Sequence, residues 1–205
     1  MSLHTYKGKI FDSREEVWMA MWLEELKDFE FVEEWYRVHT PLEICEPVKF
    51  NYTKITELKT KIKRELKSFT LLNDLTYTPD FMVRWTEKGW NHFVSTVQDS
   101  IDPKSWFFVS PGNNCTWVEV KPIFDQNGKT AKFSVIQKII WAVKGIFVDL
   151  IIPEKLFEGT FMPQEAAPEF RYKKKPTGKN KGLKGPGDWK TDYTPKSLNE
   201  FLKGL

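Results

Sequence analysis

Apolar residues recur along this chain at helical spacing in some stretches and in short dense runs in others, and these spacings predict its elements. Residues 13–27 show the helical spacing, with Val17, Met21 and Trp22 recurring and Trp18, Leu23 and Leu26 around them. Ser13 is a good cap for that helix, and Glu16 stands three residues on, as in a capping box. Residues 53–68 place Ile55, Leu58, Ile62 and Leu66 on one stripe with lysines opposite, which predicts a second helix. Residues 129–144, with Phe133, Ile136, Ile140 and Val143 on one stripe and Gly145 just beyond, predict a third. Residues 29–38 read as a strand or paired strands, and Pro41 and Pro47 then bracket a loop. Strands are also predicted at 75–85, with Pro79 near the entry or on an irregular part, and at 115–124, ended by the turn residues 125–128. Residues 146–152 read as a strand of the buried kind. Between them, residues 90–109 hold two apolar-aromatic runs and suggest a hairpin-like insertion packed by Trp106, Phe107 and Phe108. Helix, strands, helix, strand in this order predicts an α/β sandwich around a mixed sheet.

The last part changes character. Residues 163–170 read as a linker, and the Lys-, Gly- and Pro-rich stretch after it is expected to be extended or mobile when free, before a short terminal helix within 194–205. The organisation expected is a domain over 1–162 with an insertion at about 86–113, then a linker and basic tail over 163–205. No internal repeat is visible.

Composition changes this picture in two ways. With 205 residues, 40% hydrophobic, nine Trp and sixteen Phe, the chain has the material for a real core. Its charge is uneven. Ten of the 31 Lys/Arg but only three of the 28 Asp/Glu lie at or beyond Arg171, leaving 21 against 25 before it. A mildly acidic body with a basic tail is compatible with a polyanionic partner. The longest apolar candidate, 139–152, is broken by Lys144, Gly145 and Asp149, so no membrane span is expected. The first residues lack the apolar segment of a signal peptide, and Cys45 and Cys115 lack metal-ligand spacing. Together these features point to a cytoplasmic protein. His4, His39 and His92 are scattered and suggest no zinc site.

The informative constellation is Pro79-Asp80 followed by Glu119-Val120-Lys121. Residues two apart in a strand share a face, so Glu119 and Lys121 project together while Val118 and Val120 turn to a core. Hydrolysis of a phosphodiester explains a carboxylate and an ammonium side by side at the end of an apolar strand. Hard Mg²⁺ takes oxygen ligands and usually only one or two carboxylates, which Asp80 and Glu119 supply if their strands are neighbours. Lys121 then orients or deprotonates the attacking water and offsets charge in the transition state.

The segments YTPDFMV and WVEVKP resemble the PD-(D/E)XK nuclease superfamily, whose motif is Pro-Asp, a variable gap, then (Asp/Glu)-X-Lys on neighbouring strands. The resemblance implies a restriction-endonuclease-like αβββαβ core and covers residues 10–152. The flavour is similar to transposon end-cleaving endonuclease subunits and phage junction-resolving endonucleases, which implies a bacterial or phage-infected cell. It further implies Mg²⁺ or Mn²⁺ held by Asp80, Glu119 and Glu16 with the Val120 carbonyl, and Lys121 as the catalytic lysine. Glu16 enters through the Ser-x-x-Glu context of the first helix, although a capping-box Glu does the same job structurally. Gln137 and Lys138 are candidates for an accessory polar position on the later helix. The long gap between Asp80 and Glu119 departs from the common pattern.

DNA is the expected partner. Lys173, Lys174, Lys175, Lys179, Lys181 and Lys184 are candidates for salt-sensitive phosphate contacts. One such site cuts one strand at a time, so paired cuts imply a homodimer or a partner protein. The rival expectation is a nucleic-acid-binding or assembly protein that keeps the fold without cutting. An RNA-directed nuclease shares the same metal chemistry.

Overall fold

The computed structural model describes residues 4–96, 108–110, 112, 114–123, 129–167 and 195–204. In chain order these form β1 (His4–Tyr6), β2 (Lys9–Phe11), α1 (Arg14–Asp28), β3 (Val32–Arg37), β4 (Leu42–Cys45), β5 (Val48–Leu58) and β6 (Lys61–Leu72). There follow β7 (Leu75–Tyr77), β8 (Phe81–Trp85), α2 (Glu87–Phe93), β9 (Val94–Thr96), β10 (Phe108–Ser110) and β11 (Cys115–Val120). The chain then makes α3 (Lys129–Lys144), β12 (Val148–Ile151), α4 (Pro153–Gly159) and α5 (Leu198–Leu202).

The architecture is α/β with a mixed central sheet in the order β12-β11-β8-β3. Strands β3, β8 and β11 run antiparallel to their neighbours, and β12 returns parallel to β11. A parallel return needs a long crossover, which α3 supplies. Alternation along each strand separates two faces. Phe81 and Val83 stand opposite Val118 and Thr116 across the β8–β11 pair, and all of these are buried on one side. Helix α1 covers that side with Val17, Met19, Trp22, Leu23 and Leu26. Its start is set by Ser13, whose hydroxyl accepts the Glu16 N–H at 3.1 Å, and Glu15 and Glu16 favour the positive end of the helix dipole. The other side is covered by α3, where Phe133 and Ile140 pack with Ile44 and Val148, beside Trp117 and Leu150. Gly145 ends α3 as expected, with φ of 65° and its N–H on the Trp141 carbonyl at 2.9 Å.

Trp22 is the hub of the α1 layer. Its ring packs on Trp85, Phe93, Phe108 and Phe161, and its indole N–H donates to Thr160 Oγ1 at 3.2 Å. The terminal helix α5 forms, closed by a capping box of Ser197 and Glu200, and sends Phe201 onto Phe93 and Phe161. Gly89 lets α2 approach this layer, since a side-chain carbon there would meet the Phe31 carbonyl oxygen at 1.9 Å.

Several expected elements are corrected. Residues 53–68 are not a helix; they form most of a hairpin, β5–β6, with Leu58 paired to Lys61 and Phe50 to Phe69. Ile62 and Leu66 share a strand face as readily as a helical stripe, and the β-branched content (Thr53, Ile55, Thr56, Ile62) favours the extended chain. The strand expected over 75–85 is broken at residues 78–80, because Pro79 offers no N–H to a ladder; β7 pairs with β4, and β8 joins the central sheet. In the insertion, β9 and β10 pair in parallel, so they are not the two arms of a hairpin. Phe108 packs in the core as expected, while Trp106 and Phe107 lie outside the described residues. Among the described residues no helix is long and apolar enough to cross a membrane.

Candidate active site

The site grows from the place where β8 and β11 lie side by side. Pro79 is buried and carries the chain from β7 toward β8, and Asp80 follows it just ahead of that strand. The Asp80 N–H donates to the Val118 carbonyl at 2.9 Å, and the Asp80 carbonyl accepts the Val38 N–H at 3.1 Å. Its backbone is therefore clamped between β3 and β11. Its carboxylate oxygen Oδ2 accepts the Val120 N–H at 2.7 Å, which aims the side chain at the end of β11. Glu119 is buried at the same end, with one carboxylate oxygen on the Lys121 ammonium and the other accepting the Tyr77 hydroxyl. The Lys121 N–H donates to the Ile151 carbonyl at 2.9 Å, so β12 fixes the lysine's backbone.

Electrostatics tie these groups together. The Asp80 carboxyl is pushed up to about 7, first by burial and then by the negative charge of Glu119. Glu16 adds to the rise, whereas the Val120 N–H and the Lys121 ammonium oppose it. The Glu119 charge makes Asp80 costlier to ionise, and a cation beside the two carboxylates would offset that cost. The Tyr77 phenol is held protonated, first by burial and then by Glu119, so it serves as a donor there.

Asp80, Glu119, Val120 and Lys121 are thus brought together, as expected from their order in the sequence. Glu16 is close enough to act on Asp80 but is engaged elsewhere. One of its oxygens is paired with Arg37 at 3.1 Å, and the other accepts the Ser13 hydroxyl at 3.1 Å. Burial raises its carboxyl, and Arg37 is the main opposing influence. Gln137 donates its amide to the Val148 carbonyl at 2.6 Å, which pins α3 to β12, and Lys138 is exposed. Lys173, Lys174, Lys175, Lys179, Lys181 and Lys184 lie outside the described residues. Among the described residues, no group of three or more His, Cys, Asp or Glu side chains gathers as a metal cage. The donors that fit a hard divalent ion are the Asp80–Glu119 pair, since such an ion usually takes only one or two carboxylates and fills its other positions with water and phosphate oxygens.

Sequence reasoning missed Tyr77 and Arg37. Arg37 was signalled as a lone cation in the apolar-aromatic run over 29–38; it also pairs with Asp12 at 2.9 Å and lies over the Phe11 ring. Asp149 was a lone carboxylate in a buried strand. Both its oxygens accept the Val109 N–H at 3.1 Å, tying β10 to β12, and burial raises its carboxyl well above the usual range. Glu154 on α4 is pushed up to about 7, first by burial, with Glu15 adding to the rise.

No protein-family model matches the chain, and neither the curated proteins nor the solved structures contain a match to it.

Proposed function

We propose that this chain is a Mg²⁺- or Mn²⁺-dependent DNA endonuclease with a restriction-endonuclease-like core. The observation that carries the proposal is the meeting of the Asp80 and Glu119 carboxylates with the Lys121 ammonium at the end of two adjacent strands. The run of α1, then β3, β8 and β11 antiparallel, then α3 and a parallel β12 supports the same reading. A binding-only protein gains nothing from buried carboxylates that repel phosphate.

Asp80 and Glu119 would hold the ion, with the Val120 carbonyl as a further oxygen donor. A divalent ion held there would polarise a phosphoryl oxygen and lower the pKa of a water it binds. The chain's own groups do the rest. Tyr77 keeps one Glu119 oxygen fixed by donating its hydroxyl, so that carboxylate does not swing. The Val120 N–H does the same for Asp80. Lys121 places a positive charge at the site, where it orients the attacking water and offsets charge gathering on the phosphate oxygens. Arg37 pairs with Glu16 beside them and opposes the rise that burial imposes on its carboxyl.

The test is cleavage of supercoiled plasmid and of a four-way junction by the full chain and by Asp80→Asn, in Mg²⁺, Mn²⁺ and EDTA. Metal-dependent cutting that disappears in the variant is expected. Absence of cutting by the unaltered chain on both substrates favours the binding or assembly protein.

A further inference from the structure

The hairpin β5–β6 has no place in the site chemistry and no side chain in either core cluster. Its strands run for 11 and 12 residues, which at about 3.4 Å per residue makes an arm roughly 35 Å long. An isolated two-stranded hairpin is marginal in water, so an arm of this length calls for a surface to lie on. Its charge says which kind. Residues 48–72 hold seven Lys/Arg against two Asp/Glu.

The register sorts these side chains. Lys54, Lys61, Lys63 and Lys67 share one face with Glu65, and Phe50, Tyr52 and Phe69 stand on that face toward the root. Glu65 is paired with Lys63 and, at 3.9 Å, with Lys67, which leaves the face positive overall. The opposite face carries Ile55, Ile62 and Leu66, which are 58%, 61% and 77% exposed, together with Lys49, Arg64 and Glu57. The root leads straight into the candidate site, because β7 follows β6 and Tyr77 donates to Glu119.

We infer that this arm is a duplex-DNA clamp that lies in the major groove beside the scissile phosphate. The inference rests on reading the site as a DNA nuclease and names how that nuclease holds its substrate. The major groove of B-form DNA admits a two-stranded ribbon, and one turn of the duplex is about as long as the arm. The lysine-bearing face turns into the groove, where its long ammonium side chains reach the phosphates of both walls and the acceptor edges of guanine, and the opposite face is left toward solvent. A second copy of the arm is the weaker occupant, since two equally basic arms repel each other. The deep, narrow groove of A-form RNA excludes a ribbon of this width.

The test uses the full chain in EDTA, so that no phosphodiester is cut. Binding of a fluorescein-labelled 30-base-pair DNA duplex is followed by anisotropy across a salt series. The chain is compared with the quadruple variant Lys54→Gln, Lys61→Gln, Lys63→Gln and Lys67→Gln. Affinity is expected to fall by about tenfold or more, and the slope of log K against log salt to shrink by about two to four. Thermal melting of the variant should match the unaltered chain, because these side chains are exposed. An unchanged Kd overturns the inference, as does failure of the unaltered chain to bind the duplex. An equal loss on duplex RNA overturns the groove placement. Sedimentation of Ile62→Thr/Leu66→Thr closes the remaining route: a dimer that this variant splits assigns the arm to a second copy and overturns the clamp. Plasmid cleavage in Mg²⁺ is measured alongside, so loss of the nuclease reading and loss of the arm reading register in different assays.

Discussion

Two groups of large apolar side chains in this protein meet opposite fates. Around Trp22, residues from α1, β8, α2, β10 and the segment after α4 converge until Trp22, Trp85, Phe93 and Phe108 are almost fully covered. Along β5–β6, Phe50, Ile55, Ile62, Leu66 and Phe69 remain about half to three-quarters exposed. The residue types overlap; the number of layers differs. A strand in the central sheet has a helix on at least one side, whereas the arm is one ribbon and can cover its own side chains only across two strands. The first region is a closed core under the central sheet, and the second leaves its side chains open to solvent.

The sharpest way to break this comparison is to truncate one side chain in each region. Trp22→Ala removes the hub ring and its bond to Thr160 and is expected to cost about 3–5 kcal/mol, as large aromatic deletions in cores do. Leu66→Ala on the arm should change stability by less than about 0.5 kcal/mol. Chemical denaturation of both variants checks the pair, and similar losses would mean that the arm is packed in solution.

The buried carboxyls give a second, intermediate effect. Asp80 and Glu154 are both raised to about 7 from 3.8 and 4.5, so between those values the folded state holds more protons than the unfolded chain. Their contribution to stability is fully present below about pH 4 and is lost as pH rises through 7. A divalent cation held by Asp80 and Glu119, as proposed, would bind the ionised Asp80 and work against its part of that loss. The melting temperature without metal should fall from pH 5 to pH 8, and Mg²⁺ should raise it more at pH 8 than at pH 5. An equal metal effect at both pH values would place the ion away from Asp80 and Glu119.

A smaller change sharpens the role of Tyr77, the residue that joins the arm's root to the site. Tyr77→Phe removes one donor to Glu119 and should raise the Mg²⁺ concentration needed for half-maximal cleavage by about 10- to 100-fold, as loss of a ligand-orienting bond does. Initial rates against Mg²⁺ concentration decide it. An unchanged metal requirement would reduce Tyr77 to packing against Phe133.

Much of this was legible along the chain. The Ser13 cap, the α3 stripe with Gly145, the strand over 115–120 and the short terminal helix all depend on neighbours a few residues away, so local pattern suffices to read them. The grouping of Asp80, Glu119 and Lys121 was legible for the same reason, since each stands beside a strand whose ends composition marks. The arm was misread because the positions of Ile62 and Leu66 suit a helix stripe and a strand face equally, and only pairing with residues 48–58 chose between them.

What the sequence determined by itself is the set of helices and strands with strong local signals, the overall α/β class and the identity of the chemical groups. Tertiary structure alone decided that Arg37 takes Glu16, that Tyr77 takes Glu119, that Asp149 holds β10, and that β5–β6 stands clear of the core. Those outcomes depend on which distant elements lie side by side, and the energy of a buried charge or an uncovered leucine is set by those neighbours rather than by its own place in the chain.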